Sequence, residues 1–149
     1  MTAEQAKELL SFHSGRHEDI DNAKWENGFL GSLRPYQGKL IEDNFHEVIS
    51  CLRVLSQNLS QEKIEQNVVS DIMGIIHLGR AWGVYESGML KSNNLIKEKD
   101  SKLLESWIEI ISYTFMMILD TGDEEIAFEE YKFYNDENPT EPSIRDALI

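Results

Sequence analysis

The chain has 149 residues, of which 27 are acidic and 14 are basic, so its formal net charge is −13 at pH 7. This charge disfavours nucleic acid as a partner, because the phosphate backbone attracts lysine and arginine and is repelled by an acidic surface. The length is typical of one domain, and a hydrophobic content of 41% can supply its core.

The apolar runs of the chain favour a soluble, cytoplasmic protein without membrane contact. The first residues, MTAEQAKELL, contain acids and no long apolar run, unlike a secretory signal. The longest apolar stretch covers 108–119 and is interrupted by Glu109. It is shorter than the ~18 to 20 residues needed to cross a bilayer.

Two helices are predicted before the first glycine-rich segment. Thr2 and Gln5 form a capping box in front of apolar residues, which predicts a helix over 3–13 that Gly15 ends. A short second helix is expected over 18–27, where apolar residues lie among charges ahead of two glycines.

A glycine-rich loop separates these helices from two longer ones. The loop covers 28–38 and contains Pro35, which lacks a backbone donor and disfavours helix. Apolar residues then recur at intervals of three and four over 41–58, which predicts an amphipathic helix. Ser60 is placed to cap the next helix, which is expected over 64–82.

The helix predicted over 64–82 is apolar on more than one face. Val69, Met73 and Ile76 widen its apolar stripe, which favours an enclosed, central position. Its glycines each lower intrinsic helix stability by ~1 kcal/mol, so close packing against a neighbouring helix is the expected reason for them. These glycines are Gly74, Gly79 and Gly83.

The second half of the chain predicts a packed loop, a second central helix and a terminal helix. The loop covers 86–97 and contains glycine and asparagine turn formers. Asp100 or Ser101 is expected to open the second central helix, which ends at Gly122. Three acids follow, and the helix dipole favours acids in a first turn, so a terminal helix is expected over 123–134.

No stretch of the sequence shows the alternating apolar pattern of a β-strand. We therefore predict an all-α protein, a single-domain bundle of five or six helices in which two apolar helices are central. The domain covers 1–149. Its last part, 135–149, is expected to be a loose C-terminal tail, because it contains two prolines and few apolar residues.

The acidic residues are concentrated near the C-terminus. Nine acids and one base, Lys132, lie from Asp120 to Glu141. One interpretation is a solvated face that confers solubility. The aromatic residues among these acids favour a surface that binds a basic protein through aromatic anchors inside an acidic rim. The predicted partner-binding residues are Asp123, Glu124, Glu125, Glu129, Glu130, Tyr131, Phe133, Tyr134, Asp136 and Glu137.

The histidine and cysteine patterns argue against a metal site. His13 and His17 have the spacing of two ligands on one helix face, but Gly15 lies between them. The Glu-x-x-His pairs of carboxylate-bridged di-metal bundles do not occur. Cys51 is the only cysteine, which excludes an internal disulfide, and its apolar neighbours predict a buried side chain. We expect neither a metal nor another cofactor.

A polar pocket on the helix over 64–82 is the main alternative site. His77 and Arg80 lie three residues apart on an otherwise apolar helix, so both could project from one face. Trp82 and Tyr85 would line the same pocket. This alternative predicts a small-ligand or metal-binding helical protein, or an enzyme.

The other interpretation of that pair is structural. Arg80 would then pair with a buried or half-buried acid, Asp71 or Glu109, and His77 would bind a carbonyl. The chain contains no nucleophile motif and no phosphate-binding loop. Nothing in the sequence therefore argues for an enzyme.

These observations favour a small acidic binding protein that engages a basic protein partner. In composition and predicted architecture the chain resembles the immunity proteins that bacteria make to neutralise cationic toxins, especially nucleases. The resemblance implies inhibition by occlusion, in which carboxylates pair with the lysines and arginines that a toxin uses for substrate phosphates. A homo-oligomeric structural protein is a third hypothesis.

Overall fold

Helices and the turns between them make up the whole of the described structure. The computed structural model describes residues 1–139, so most of the tail predicted over 135–149 lies outside it. No strand occurs within these residues, and five of the eight helices have seven or more residues. The predicted all-α fold is therefore confirmed. The helices are α1 (Ala3–His13), α2 (Ala23–Asn27), α3 (Glu42–Leu59), α4 (Gln66–Gly83), α5 (Met89–Ser92), α6 (Glu98–Thr121), α7 (Glu124–Ala127) and α8 (Glu129–Glu137).

The core lies between α3, α4 and α6, the three helices with the longest apolar periodicity. Helix α1 packs on α3 and α4, and the loop after α2 adds Phe29 to the same apolar cluster. The buried rings of Phe45 on α3 and Trp107 on α6 stack with their centroids 5.4 Å apart. Cys51 on α3 is fully buried, as its neighbours predicted.

Helices α4 and α6 pack closely at two glycines of α4. A Cβ at Gly79 would lie 2.8 Å from Cδ1 of Ile108, and a Cβ at Gly83 would overlap Cδ2 of Leu104. Because the later glycine meets the earlier α6 residue, the two helices run antiparallel. Close packing therefore explains these two glycines, whereas a Cβ at Gly74 would make only ordinary contact.

Helix α4 is not enclosed on every side. Ile76 is buried, but Val69 is half-buried and Met73 is 47% exposed. The prediction of an enclosed helix is wrong on this side. A wide apolar stripe is compatible with an open apolar surface as well as with a central position, and the sequence alone does not separate the two.

The first helix matches its prediction and the second is shorter. The backbone N–H of Gln5 donates to Oγ1 of Thr2, and the side chain of Gln5 accepts from the N–H of Thr2, which completes the capping box. Gly15 has the left-handed φ of 69° and follows the end of α1. Helix α2 begins only at Ala23, because the side chain of Asn22 caps it.

Ser60 does not cap α4, as predicted, but ends α3. Its N–H donates to the carbonyl oxygen of Ser56, which continues the hydrogen-bonding pattern of α3. Helix α4 begins at Gln66, after Glu65, and Ile64 lies ahead of it with 36% exposure. The predicted start was wrong because a serine satisfies the requirements of either helix end.

The longest of the described helices is α6, with 24 residues. It begins at Glu98, two residues before the predicted start, and the carbonyl oxygen of Lys97 accepts from the N–H of Ser101. It ends before Gly122, whose φ of 65° confirms the predicted glycine cap. Neither α6 nor any other helix within residues 1–139 combines the length and hydropathy that crossing a membrane requires.

The terminal helix predicted over 123–134 is two helices, α7 and α8, which break at Phe128. Phe128 is buried, and the guanidinium carbon of Arg53 on α3 lies 4.4 Å from its ring centroid. Helix α8 then continues to Glu137, so the first residues of the predicted tail are helical. Packing against α3 therefore divides a segment that local propensity favours as one helix.

Candidate functional site

Tyr134 attaches α8 to the bundle. Its hydroxyl donates to Oε1 of Glu42 at 2.9 Å and accepts a hydrogen bond from Nε1 of Trp107 at 2.8 Å. Its ring meets Phe45 edge-on and is buried. Burial, together with the hydrogen bond to Glu42, raises the pKa of Tyr134 to about 12. The structure therefore corrects the prediction for Tyr134, which faces the bundle and is not an outward anchor.

Tyr131 also faces the bundle. Its hydroxyl lies 2.7 Å from Nδ1 of His46, and its half-buried ring meets Phe45 edge-on at a centroid distance of 5.7 Å. Tyr131 and Tyr134 are three residues apart, so they lie on one face of α8. Together they fix the rotation of α8 about its axis, and the opposite face points into solvent.

Phe133 occupies this outward face and is 55% exposed. Glu129 and Glu130 precede it by four and three residues, and Asp136 and Glu137 follow it by three and four. These are the positions that neighbour a side chain on a helix surface, and all four acids are exposed. An exposed phenyl ring is therefore bordered by four carboxylates. These five residues form the α8 acidic surface.

The acids of α7 are used partly within the fold. Oδ1 of Asp123 caps α7 by accepting hydrogen bonds from the N–H groups of Glu125 and Ile126. Oε1 of Glu124 accepts a hydrogen bond from Oγ of Ser56 on α3. Of the three acids predicted here as partner-binding residues, Asp123 and Glu124 thus have structural roles, and Glu125 projects into solvent.

The chain matches no protein-family model, no curated protein and no solved structure. Its function is therefore argued from side-chain placement, burial and charge.

The four residues of the predicted polar pocket on α4 do not meet. Arg80 pairs with Glu109 of α6, in agreement with the structural interpretation of that residue. His77 is exposed, so it is not buried against a carbonyl, and Tyr85 is 50% exposed beyond the helix end. Trp82 follows Arg80 by two residues and so lies about 200° around the helix. The structure does not bring Arg80, Trp82 and Tyr85 to one cavity.

The histidines of the α1 region do not form a ligand pair. His13 is buried at the end of α1, whereas His17 follows Gly15 and stacks on the ring of Phe12 at a centroid distance of 3.7 Å. Within residues 1–139, no group of three or more His, Cys, Asp and Glu side chains is arranged to hold a metal ion.

Two buried polar contacts that the sequence did not suggest join α1 to the core. Oγ of Ser14 donates to Oδ1 of Asp71 at 2.9 Å, and Nε2 of His13 lies 2.9 Å from Oε2 of Glu47. Burial raises the pKa of Asp71 despite this hydrogen bond. The partners are 57 and 34 residues apart, so no local spacing could have indicated them.

A surface cleft of about 120 Å³, which sequence reasoning also missed, lies between α1, the end of α3 and the start of α4. Leu55, Leu59 and Val68 supply its apolar lining. Lys7 and Glu65 lie on the rim and pair with one another. None of its polar lining residues is buried, unlike the polar groups that orient a ligand in a typical pocket.

Proposed function

We propose that this protein binds a basic protein partner through the α8 acidic surface and inhibits that partner by occlusion. The observation that carries the proposal is Phe133, an exposed ring with carboxylates at all four neighbouring helix positions. An aromatic anchor inside a charged rim is typical of a protein interface. A face that only confers solubility has no use for an exposed phenyl ring.

The ring and the carboxylates contribute to binding in different ways. Burying the side chain of Phe133 would stabilise a complex by ~1.5 to 3 kcal/mol. Each exposed ion pair contributes only ~0.2 to 1 kcal/mol. The carboxylates act mainly on the association rate and on the choice of partner, because they attract a basic surface before contact.

The inward tyrosines support the proposal because they hold α8 in one orientation. Tyr134 is bonded to two helices, α3 and α6, through Glu42 and Trp107. An interface element that is ordered before binding loses less conformational freedom when the complex forms. The α8 acidic surface is therefore presented as a rigid unit.

The proposed partner carries a cluster of lysines and arginines around an apolar pocket. Such a cluster is what an enzyme that acts on nucleic acid uses to hold substrate phosphates. Carboxylates that occupy it exclude the substrate, which is how inhibition by occlusion would operate. This mechanism is the one implied by the resemblance to immunity proteins.

Variants of the α8 acidic surface test the proposal. The probe is the basic protein that co-purifies with the tagged chain, beginning with the product of the adjacent gene. Phe133→Ala is expected to weaken this complex about 10- to 100-fold in calorimetry. The melting temperature is expected to stay the same, because the ring lies outside the core cluster. Reversal of the four acids to lysine is expected to abolish binding.

The matched control reverses four exposed acids near α2 and so changes the net charge by the same amount. Its affinity for the partner is expected to remain close to that of the wild type. Equal losses in both reversal variants would reduce the effect to net charge, and an unchanged affinity of Phe133→Ala would overturn the proposed interface. The control residues are Glu18, Asp19, Asp21 and Glu26.

A further inference from the structure

Arg80 of α4 and Glu109 of α6 pair across the outer edge of the contact between these helices. Met73 precedes Arg80 by seven residues, and Met116 follows Glu109 by seven. Seven residues are close to two helical turns, so each methionine lies on the same edge as the charged residue of its helix. Because α4 and α6 run antiparallel, both steps lead in one direction and bring the methionines to the same level.

An open, mainly apolar groove follows this edge. Met73 and Met116 are 47% and 54% exposed, and Leu119, one turn beyond Met116, is 44% exposed. Ile76 is 4% exposed and forms part of the floor. The groove runs for about three helical turns, or ~16 Å. The residues of this α4–α6 groove are apolar except for one half-buried serine, and they are Val69, Met73, Ile76, Ser112, Met116 and Leu119.

We propose that the α4–α6 groove binds an amphipathic helix of a partner protein whose polar flanks are basic. A seam between two antiparallel helices accepts a third helix, which packs its apolar face along the seam. Methionine suits such a surface, because its unbranched, polarizable side chain adapts to the apolar residues of the incoming helix. Exposed apolar patches that a fold leaves in contact with solvent are typical of interaction sites.

Charge selects a basic helix as the occupant. Glu105 and Asp120 are exposed on α6 beyond the two ends of the groove, and Arg80 is already paired with Glu109. A second copy of this chain would bring another net charge of −13 to the same rim, which electrostatic repulsion opposes. The flanking lysines or arginines of a basic helix would meet acids. The groove is separate from the α8 acidic surface, and this proposal does not depend on it.

A synthetic peptide with leucine at helical spacing and lysine elsewhere, about 18 residues long, represents the partner helix. The chain has five methionines, so labelling their methyl groups with ¹³C provides few, resolvable NMR signals. Addition of the peptide is expected to shift the signals of Met73 and Met116 and to leave those of Met1 and Met89 in place. Absent shifts at Met73 and Met116 would overturn the proposal.

The double variant Met73→Gln, Met116→Gln is expected to weaken peptide binding about 10-fold or more in fluorescence anisotropy. Leu95→Gln is the matched control, because Leu95 is 54% exposed in the loop before α6, and its affinity is expected to match the wild type. Phe133→Ala is also expected to bind the peptide normally, even if it loses the partner of the α8 acidic surface. Equal affinities of the double variant and the wild type would refute the groove.

Two further measurements separate the proposed occupant from its rivals. A peptide of the same composition in scrambled order is expected to bind about 10-fold more weakly. Equal binding of both peptides would mean that only charge attraction is involved and would overturn the proposal. Light scattering of the chain without peptide is expected to show a monomer. A dimer that Met73→Gln with Met116→Gln dissociates would assign the groove to a second copy instead.

Discussion

The imidazole of His13 joins three segments of the chain. Its Nδ1 accepts a hydrogen bond from the backbone N–H of Phe29 at 3.0 Å, and its Nε2 lies 2.9 Å from Oε2 of Glu47. Because Nδ1 is an acceptor, the proton of the neutral ring is on Nε2, which donates to Glu47. Lys24 pairs with the same carboxylate oxygen. The end of α1, the start of the loop after α2 and the middle of α3 are thereby held together.

This arrangement predicts that stability decreases when the pH falls below 6.5. Burial lowers the pKa of His13 from 6.5, although the hydrogen bond to Glu47 opposes this effect. The unfolded chain therefore takes up a proton at a higher pH than the folded chain. Stability is retained above 6.5 and decreases as the pH falls toward the folded pKa, by about 1.4 kcal/mol for each unit of pKa difference. Urea unfolding on both sides of pH 6.5 measures this.

Two histidine variants assign the effect. His13→Asn is expected to be less stable at neutral pH and to show a flatter dependence near 6.5, because the titrating ring is absent. His77→Asn is the matched control, and it is expected to keep the wild-type dependence because His77 is exposed. A wild-type dependence in His13→Asn would assign the titration to another group.

Glu47 is expected to produce a second loss of stability at lower pH. Burial alone would raise the pKa of Glu47, but hydrogen bonds from His13 and Lys24 lower it below its usual 4.5. A lowered carboxyl pKa contributes stability that is present above 4.5 and is lost as the pH falls through the folded pKa. Glu47→Gln is expected to remove this acid step in urea unfolding, and its persistence would contradict the assignment.

The hydroxyl of Tyr134 is expected to matter more for stability than that of an exposed tyrosine. Tyr134→Phe removes the acceptor of Trp107 and a donor to Glu42, and should lower the free energy of unfolding by ~1 to 3 kcal/mol. Tyr85→Phe alters a ring that is 50% exposed, and the change should stay below ~0.5 kcal/mol. Urea unfolding of both variants compares them. Equal effects would show that these hydrogen bonds do not stabilise the docking of α8.

Two glycine substitutions in α4 are expected to have opposite signs. Gly79→Ala places a Cβ 2.8 Å from Cδ1 of the buried Ile108, and overpacking of this kind costs ~1 to 3 kcal/mol. Gly74→Ala meets only ordinary contact and gains helix propensity of up to ~1 kcal/mol. Melting temperatures measure both. A stabilising Gly79→Ala would show that α6 can move away at no cost.

Cys51 is expected to be unreactive in the folded protein. Burial raises the pKa of its thiol to about 12, so the thiolate that reacts with aromatic disulfide reagents is scarce at mildly alkaline pH. Labelling should be slow in buffer and fast in denaturant. Because Cys51 is the only cysteine, the labelling rate reports the opening of α3 from the core. Rapid labelling of the folded protein would contradict the burial of this residue.

Association with the proposed basic partner is expected to slow as ionic strength rises, because salt shortens the range of charge attraction from ~10 Å at 0.1 M to ~3 Å at 1 M. Stopped-flow mixing separates the two contributions. Neutralising Glu129 and Glu130 to glutamine should lower the association rate, whereas Phe133→Ala should mainly raise the dissociation rate. An association rate that does not respond to salt would contradict the role of the carboxylates.

Local features were predictable where one segment contains all the interacting groups. The capping box of Thr2 and Gln5 and the glycine cap at Gly122 are confirmed, because the hydrogen-bonding groups lie within a few residues of one another. Ser60 and Phe128 were misassigned for the opposite reason. Ser60 satisfies either helix end, and the break at Phe128 accompanies its burial beside Arg53 of α3.

The sequence by itself determined that the protein is helical and where its acids are concentrated, because periodicity and composition are properties of neighbouring residues. It did not determine that Phe133 faces solvent while its neighbour Tyr134 is buried. That difference follows from the rotation of α8, which is set by contacts with Glu42 and Trp107, 92 and 27 residues away from Tyr134. Only the tertiary structure brings such distant groups together, and only it decided which aromatic ring the acids surround.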